Sequence, residues 1–251
     1  MAPDMGIQRN GNRPVSSLLE VEGVRIAYGD LVAVWDVSFD ARAGEVTAIV
    51  GRNGAGKTTL MFGLAGVLRA VAGTVTLDGT DVTAMSSWER AAAGLSLVPE
   101  GKRVFRDLTV EENLLVGMPR KLRSSERRER CQEVFARFPI LADKQSALAS
   151  ALSGGQQQAL AIASALLTRP QVLLVDEPSS GLAPTTVDAL MSTLDELKRA
   201  GMAIVLVEQM IEDVITGIAD EVVVIEQGRV VMRDVPERIS LAELERRLYV
   251  A

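Results

Sequence analysis

"VTAIVGRNGAGKTTLMFGLAGVL", residues 46–68, decides how the rest of the chain is read. Val46 to Val50 is a run of apolar and β-branched residues that reads as a buried strand, and "TTLMFGLAGVL" reads as a helix. Between them, "GRNGAGKTT", Gly51 to Thr59, matches the spacing G-x-x-x-x-G-K-[ST]. A polyphosphate needs many N–H donors converging on it, and Gly51, Gly54 and Gly56 let the backbone curl close enough to supply them. Asn53, Ala55 and Thr59 complete the cradle. Lys57 adds a point charge for the β- and γ-phosphates, Thr58 offers a hydroxyl to Mg2+, and the N-terminus of the following helix adds its dipole.

Downstream of this loop, buried β-type runs ("LSLVPE", "VLLVDEP", "AIVLVEQ", "EVVVIEQG") alternate with long helical patterns. That alternation predicts parallel strands with covering helices, an α/β core. Upstream and just beyond, "LLEVEGVRIAYG", "AVWDVSFDARAG", "EVTAIVG" and "GTVTLDG" read as short strands separated by turns, a largely antiparallel layer. From Gly101 to Pro170 no strong strand run appears, but helical ones do: Glu111 to Met118, Glu126 to Phe138 and Gln156 to Leu167. They predict a helical subdomain, about 101–168, inserted into the sheet order. Leu241, Leu244 and Leu248 stand at helical spacing and predict a packed terminal helix.

"VLLVDEPSSGLAP", Val172 to Pro184, carries the second chemical signal. Four apolar residues make a buried strand, so Asp176 and Glu177 emerge together at its C-terminal edge, where open parallel sheets bind ligands. Adjacent acids there are costly without a cation. Asp176 is assigned to the Mg2+ shell and Glu177 to polarising the attacking water. The third signal is "LSGGQQQALAIASALL", Leu152 to Leu167, in which Ser153 and the amides of Gly154 and Gly155 form another anion cradle at a helix start. Taken alone, "SGG" also reads as a helix-capping loop. One nucleotide rarely needs two cradles from one chain, so the economical arrangement is two chains face to face, each capping the nucleotide of the other.

Composition limits the alternatives. At 251 residues and 47% apolar the chain can bury a full core. Its longest apolar runs fall far short of the ~18 residues of a membrane span, so membrane work is expected to go through a partner. Residues 1–17 are polar and loop-forming, without the apolar core of a secretory signal, and read as a flexible tail. A single cysteine, Cys131, excludes an internal disulfide, and the absence of histidine argues against zinc chemistry. A reducing cytoplasm fits. The net charge of -6 gives no general attraction to nucleic acid. The basic stretch Pro119 to Arg130 holds Glu126 and Glu129 and reads as a solvated helix start.

Phosphate loop, "LSGGQ", "LLVDEP" and "SSGLAP", in that order, resemble the ATP-binding subunit of an ABC transporter, a resemblance that runs from about Leu18 to the C-terminus. It implies a P-loop NTPase fold of the ABC type over 18–251, with an antiparallel β layer and an inserted helical subdomain. It implies that Tyr28 stacks on adenine, and that Ser153, Gly154, Gly155 and Gln156 contact ATP held by a second chain. "LVPEGKRVFRDLTVEENLLVG", Leu97 to Gly117, and "VEQ" are similar to the LivF-like branch of the branched-chain and hydrophobic amino acid importers. Where most of the family has a glutamine that meets Mg2+ and the membrane subunit, this chain has Glu100. Where the family has a switch histidine, it has Gln209, or Met210 if the count runs back from Ala219 and Asp220. A glutamine amide can donate to a phosphate oxygen but cannot become cationic.

What the resemblance implies is an ATP-hydrolysing subunit of an importer for branched-chain amino acids or related small solutes, at the cytoplasmic face of the membrane. Its partners would be a second ABC ATPase, identical or different, integral membrane permeases and, indirectly, an extracytoplasmic solute-binding protein. A soluble ABC ATPase working on DNA or ribosomes usually needs a coiled-coil insertion or two ATPase domains in one chain, and neither is found. A cluster-assembly ATPase is disfavoured only by the LivF-like stretches.

Overall fold

A computed structural model describes residues 17–101, 104–119, 121–208, 215 and 217–249 of the chain. Residues 1–16 of the expected tail, and Gln209 and Met210, the two readings of the switch position, lie outside the described residues.

The centre is a six-stranded sheet in the order β10-β9-β3-β8-β7-β6. β3 (Val46–Val50), β6 (Leu95–Val98), β7 (Val172–Asp176), β8 (Ala203–Val207) and β9 (Glu221–Glu226) run parallel, and β10 (Arg229–Asp234) turns back along β9. Every residue of β3, β7 and β8 is buried, as a parallel sheet covered on both faces requires. Alternate residues divide between two cores. Leu173 and Val175 face the helical side; Val172 and Leu174 face the other. That second face is covered by a four-stranded antiparallel sheet, order β2-β1-β4-β5, made of β1 (Ser17–Tyr28), β2 (Leu31–Arg42), β4 (Ala70–Leu77) and β5 (Thr80–Asp81). "EVTAIVG", grouped by sequence with the antiparallel runs as well as the parallel ones, pairs only into the parallel sheet.

α1 (Lys57–Leu64) follows β3, and α2 (Ser87–Ala93) precedes β6. α3 (Val110–Gly117), α4 (Ser124–Arg137), α5 (Pro139–Ala142) and α6 (Gly154–Leu166) all lie between β6 and β7, strands that are direct neighbours. The chain therefore leaves the sheet edge, builds helices and returns to the adjacent position. α3 and α6 each begin with a reciprocal cap: Thr109 with Glu112, and Ser153 with Gln156. α7 (Pro184–Arg199) links β7 to β8, and α8 (Leu241–Tyr249) buries Leu244 and Leu248 in the helical-side core.

One buried cation fixes the far end of α1. Arg90, on α2 and 1% exposed, donates from Nη1 to the carbonyls of Gly63 (2.9 Å) and Leu64 (2.6 Å), from Nη2 to Thr83 (2.7 Å) and from Nε to Met85 (3.3 Å). The last carbonyls of a helix have no partners within it, and here a guanidinium supplies them.

Candidate active site

β3 lies between β9 and β8, so the loop that follows it opens at the C-terminal edge of the sheet. Its glycines do two things. A Cβ on Gly51 would stand 2.3 Å from the Ile225 carbonyl oxygen, and one on Gly56, at φ 100, would stand 2.7 Å from that of Ala33. Gly228, in the turn between β9 and β10, donates its N–H to the Ala55 carbonyl (2.8 Å). Sequence alone read these glycines as room for a phosphate. The structure adds that Gly51 and Gly56 admit the backbones of the β9–β10 hairpin and of β2, which brace the loop from beneath.

Above the loop is a pocket of about 630 Å³, lined by Asn53, Gly54, Gly56, Lys57, Thr58, Thr59, Glu100 and Glu177. Lys57 is 4% exposed and its Nζ donates to the carbonyls of Gly51 (2.9 Å) and Arg52 (3.3 Å). The same ammonium stands 3.6 Å from Oε1 of Glu177. Glu177 adopts φ 45, the left-handed region, and its N–H donates to the Val207 carbonyl (2.9 Å).

Asp176 ends β7 directly beneath this array. It is fully buried, and neither carboxylate oxygen has a hydrogen-bond partner among the described residues. Burial pushes its pKa up from 3.8 to about 6; the nearby Thr58 hydroxyl, short of a well-formed hydrogen bond, works against the rise, while the charges of Glu177 and Glu100 add to it. A buried carboxylate without donors, beside a hydroxyl and further acids, is a donor set that suits a hard divalent cation held jointly with substrate phosphates.

The raised pKa makes a prediction for the nucleotide-free protein. The folded value lies above the ordinary one, so the stability linked to Asp176 is full below 3.8 and is lost as pH rises through about 6. At pH 8 the ionised form carries a penalty on the order of 3 kcal/mol. Asp176→Asn is therefore expected to raise the unfolding temperature at pH 8 without nucleotide or metal, by an amount that narrows as pH falls toward 5. Equal thermal unfolding of the two proteins at pH 8 would contradict the assignment.

The other sequence-predicted residues fall in three places. Gly51 and Ala55 lie buried under the loop rather than along the pocket. Tyr28 is half exposed at the pocket's edge, its hydroxyl 3.4 Å from the Thr59 hydroxyl. Ser153, Gly155 and Gln156 line a separate cavity of about 390 Å³ beside α7, with Leu182, Thr185 and Thr186, and are not brought to this chain's own phosphate loop. Ser153 Oγ accepts from the Gln156 N–H (3.3 Å), and Gln156 Oε1 from the Ser153 N–H (3.1 Å). Four pocket residues were not read from sequence: Leu31, Val32, Ala33 and Gln227.

A phosphate loop over paired acids and a remote glycine-led helix start form one constellation, and the ABC transporter family matches the chain in sequence over residues 34–180, which hold both. The chain belongs to the ABC transporter ATP-binding family. This ABC ATPase is 37% identical over 217 residues to BraG, the high-affinity branched-chain amino acid transport ATP-binding protein of Pseudomonas aeruginosa, covering 86% of this chain and 92% of that protein. It is 29% identical over 236 residues to LptB, the lipopolysaccharide export system ATP-binding protein of Haemophilus influenzae, covering 93% and 97%. Among solved structures, a nucleotide-free ATP-binding cassette from an ABC transporter aligns with a TM-score of 0.80 at 27% identity, over 88% of this chain and 92% of that one. ABC ATPases of this kind are subunits that dimerise and work with membrane permeases. No helix among the described residues of this one is long and apolar enough to cross a membrane.

Proposed function

We propose that this ABC ATPase hydrolyses ATP between two nucleotide-binding subunits and powers the import of branched-chain amino acids or related small polar or hydrophobic solutes. The observation that carries the catalytic reading is the buried, donorless Asp176 carboxylate beneath a pocket where Lys57 and Glu177 meet. Asp176, Thr58 and Glu100 would hold Mg2+ together with the substrate phosphates, and the bound ion would polarise the phosphoryl oxygens as a Lewis acid. Lys57 exchanges two neutral carbonyl partners for the stronger charge-assisted bonds of the β- and γ-phosphates. Glu177 orients the attacking water and accepts its proton. The amides of Asn53, Gly54 and Gly56, with Thr59, cradle the phosphate chain, Gly51 and Ala55 shape the loop from beneath, and Tyr28 stacks on the base.

Ser153, Gly154, Gly155 and Gln156 close the site on a nucleotide bound by the opposite subunit. Their distance from this chain's own loop supports that assignment, because a cradle at the start of α6 has no anion to serve within one chain. Gln209, as an uncharged amide, supplies at most a hydrogen bond to the terminal phosphate. A groove of about 370 Å³ between α2, β6 and α6, with Val67 on its lip and the exposed Trp88 next to it, is suited to a permease segment. The LivF-like stretch Leu97 to Gly117 forms part of that groove's wall, and together with the BraG likeness it supports an amino acid solute.

Affinity purification of the tagged chain from membranes of its host, with mass spectrometry of what accompanies it, tests the assembly. Membrane vesicles then test the solute. A second ABC ATPase, hydrophobic permeases and ATP-dependent uptake of labelled leucine are the expected results. Recovery of ribosomal or nucleic-acid proteins without a permease would overturn the transport reading, and a permease complex that ignores leucine, isoleucine and valine would overturn the branched-chain assignment.

A further inference from the structure

β7 and β8 end side by side, and three hydrogen bonds tie together the segments that leave them. The Glu177 N–H donates to the Val207 carbonyl (2.9 Å). Two residues further on, the Ser179 N–H donates to Oε1 of Glu208 (2.9 Å) and the Ser179 hydroxyl to Oε2 of the same carboxylate (2.7 Å). Ser179 is 7% exposed and Glu208 1%. A carboxylate is expensive to bury, and two charge-assisted donors from a single residue give this one a fixed direction.

Between those anchor points sits Glu177 at φ 45, a backbone state that a residue with a β carbon holds only where its surroundings impose it. The carbonyl of Val207 restrains it from one side. On the other, Glu208 holds the chain two residues beyond. Glu208 itself is not among the pocket-lining residues, and the group it holds is the backbone and hydroxyl of Ser179, two residues beyond Glu177.

We infer that Glu208 is a positioning residue for the hydrolytic step: by gripping Ser179 it keeps the 177–179 turn in the one conformation that presents the Glu177 carboxylate to the pocket. This rests on the reading of Glu177 as the group that activates water, and the test separates the two. Glu208→Ala removes the grip. Glu208→Gln preserves its geometry, because the amide oxygen still accepts from the Ser179 N–H and the amide nitrogen donates to the Ser179 hydroxyl.

The experiment measures steady-state ATP turnover and equilibrium nucleotide binding on the full chain isolated with its membrane complex, each variant in the native and in a Glu177→Gln background. Glu208→Ala is expected to lower kcat about tenfold or more with KM changed less than about twofold, the signature of a loss confined to the transition state. Glu208→Gln should recover turnover to within about threefold of the native rate, and in the Glu177→Gln background Glu208→Ala should change the residual rate by less than about twofold, since effects through one group do not add. Full turnover in Glu208→Ala, an equal fold-loss in both backgrounds, or a loss of nucleotide-binding stoichiometry parallel to the loss of kcat would each overturn the inference. Native turnover in Glu177→Gln alone would instead remove the reading on which it rests.

Discussion

Replacing Glu177 by glutamine lowers ATP turnover by about a hundredfold or more while nucleotide stays bound, the loss expected when a positioned general base is removed. Glutamine keeps the length and planarity of the side chain, so the φ 45 backbone, the N–H bond to Val207 and the packing around them are retained. What disappears is the proton acceptor and a negative charge. That charge is one of the influences that raise the pKa of Asp176, and it lies 3.6 Å from Lys57. Its removal relieves repulsion against the incoming phosphates, so ATP affinity is expected to hold or to rise. Phosphate release at saturating ATP, measured beside filter retention of labelled ATP, reads both quantities at once. Turnover near the native rate would assign the proton transfer to another group.

The second large effect is expected from Arg90→Leu, far from the phosphates. The guanidinium serves four carbonyls, two of them at the end of α1, in a place with 1% exposure. Leucine fills part of the volume and strips the guanidinium from the buried Leu64 carbonyl, from the part-buried Thr83 and Met85 carbonyls and from that of Gly63, which keeps the Gly66 N–H; each acceptor left unpaired costs roughly 1–3 kcal/mol. Even with partial relaxation the loss is on the order of 4 kcal/mol, a large share of the ~5–15 kcal/mol that holds a domain folded. Arg90→Lys should recover only a fraction, because a single ammonium cannot reach all four carbonyls from the same position. Denaturant midpoints of the two variants test this. A midpoint for Arg90→Leu equal to the native one would mean that water replaces the guanidinium without penalty.

What was legible in the sequence was what depends on local order. The change from the all-buried β3 to the glycine spacing and then to α1 is written in consecutive residues, and so is the emergence of Asp176 and Glu177 from an all-apolar strand. Arg90 was not legible. In "SSWERAAAG" it looks like an ordinary exposed helix charge, and only the end of α1 packed against α2 makes it a buried donor. The pairing of Ser179 with Glu208 is hidden for a similar reason, since 29 residues separate the partners and their adjacency comes from the β7–β8 register. Leu31, Val32, Ala33 and Gln227 escaped because no motif marks the side of a pocket opposite the phosphate loop. β10 was missed because its short run "VVM" is cut off by Arg233 and Asp234.

The brace beneath the phosphate loop also sets a timetable. Residues 51–56 are synthesised early, yet the atoms that shape them, the Ile225 carbonyl and the Gly228 amide, belong to a hairpin made near the other end of the chain. Both strands flanking β3 come equally late. On a ribosome the loop is therefore present as sequence long before it exists as a shape, and contacts this distant in sequence are the slow ones to form. The brace is thus one of the last parts of this domain to be supplied, and the loop's shape waits on residues 225–228.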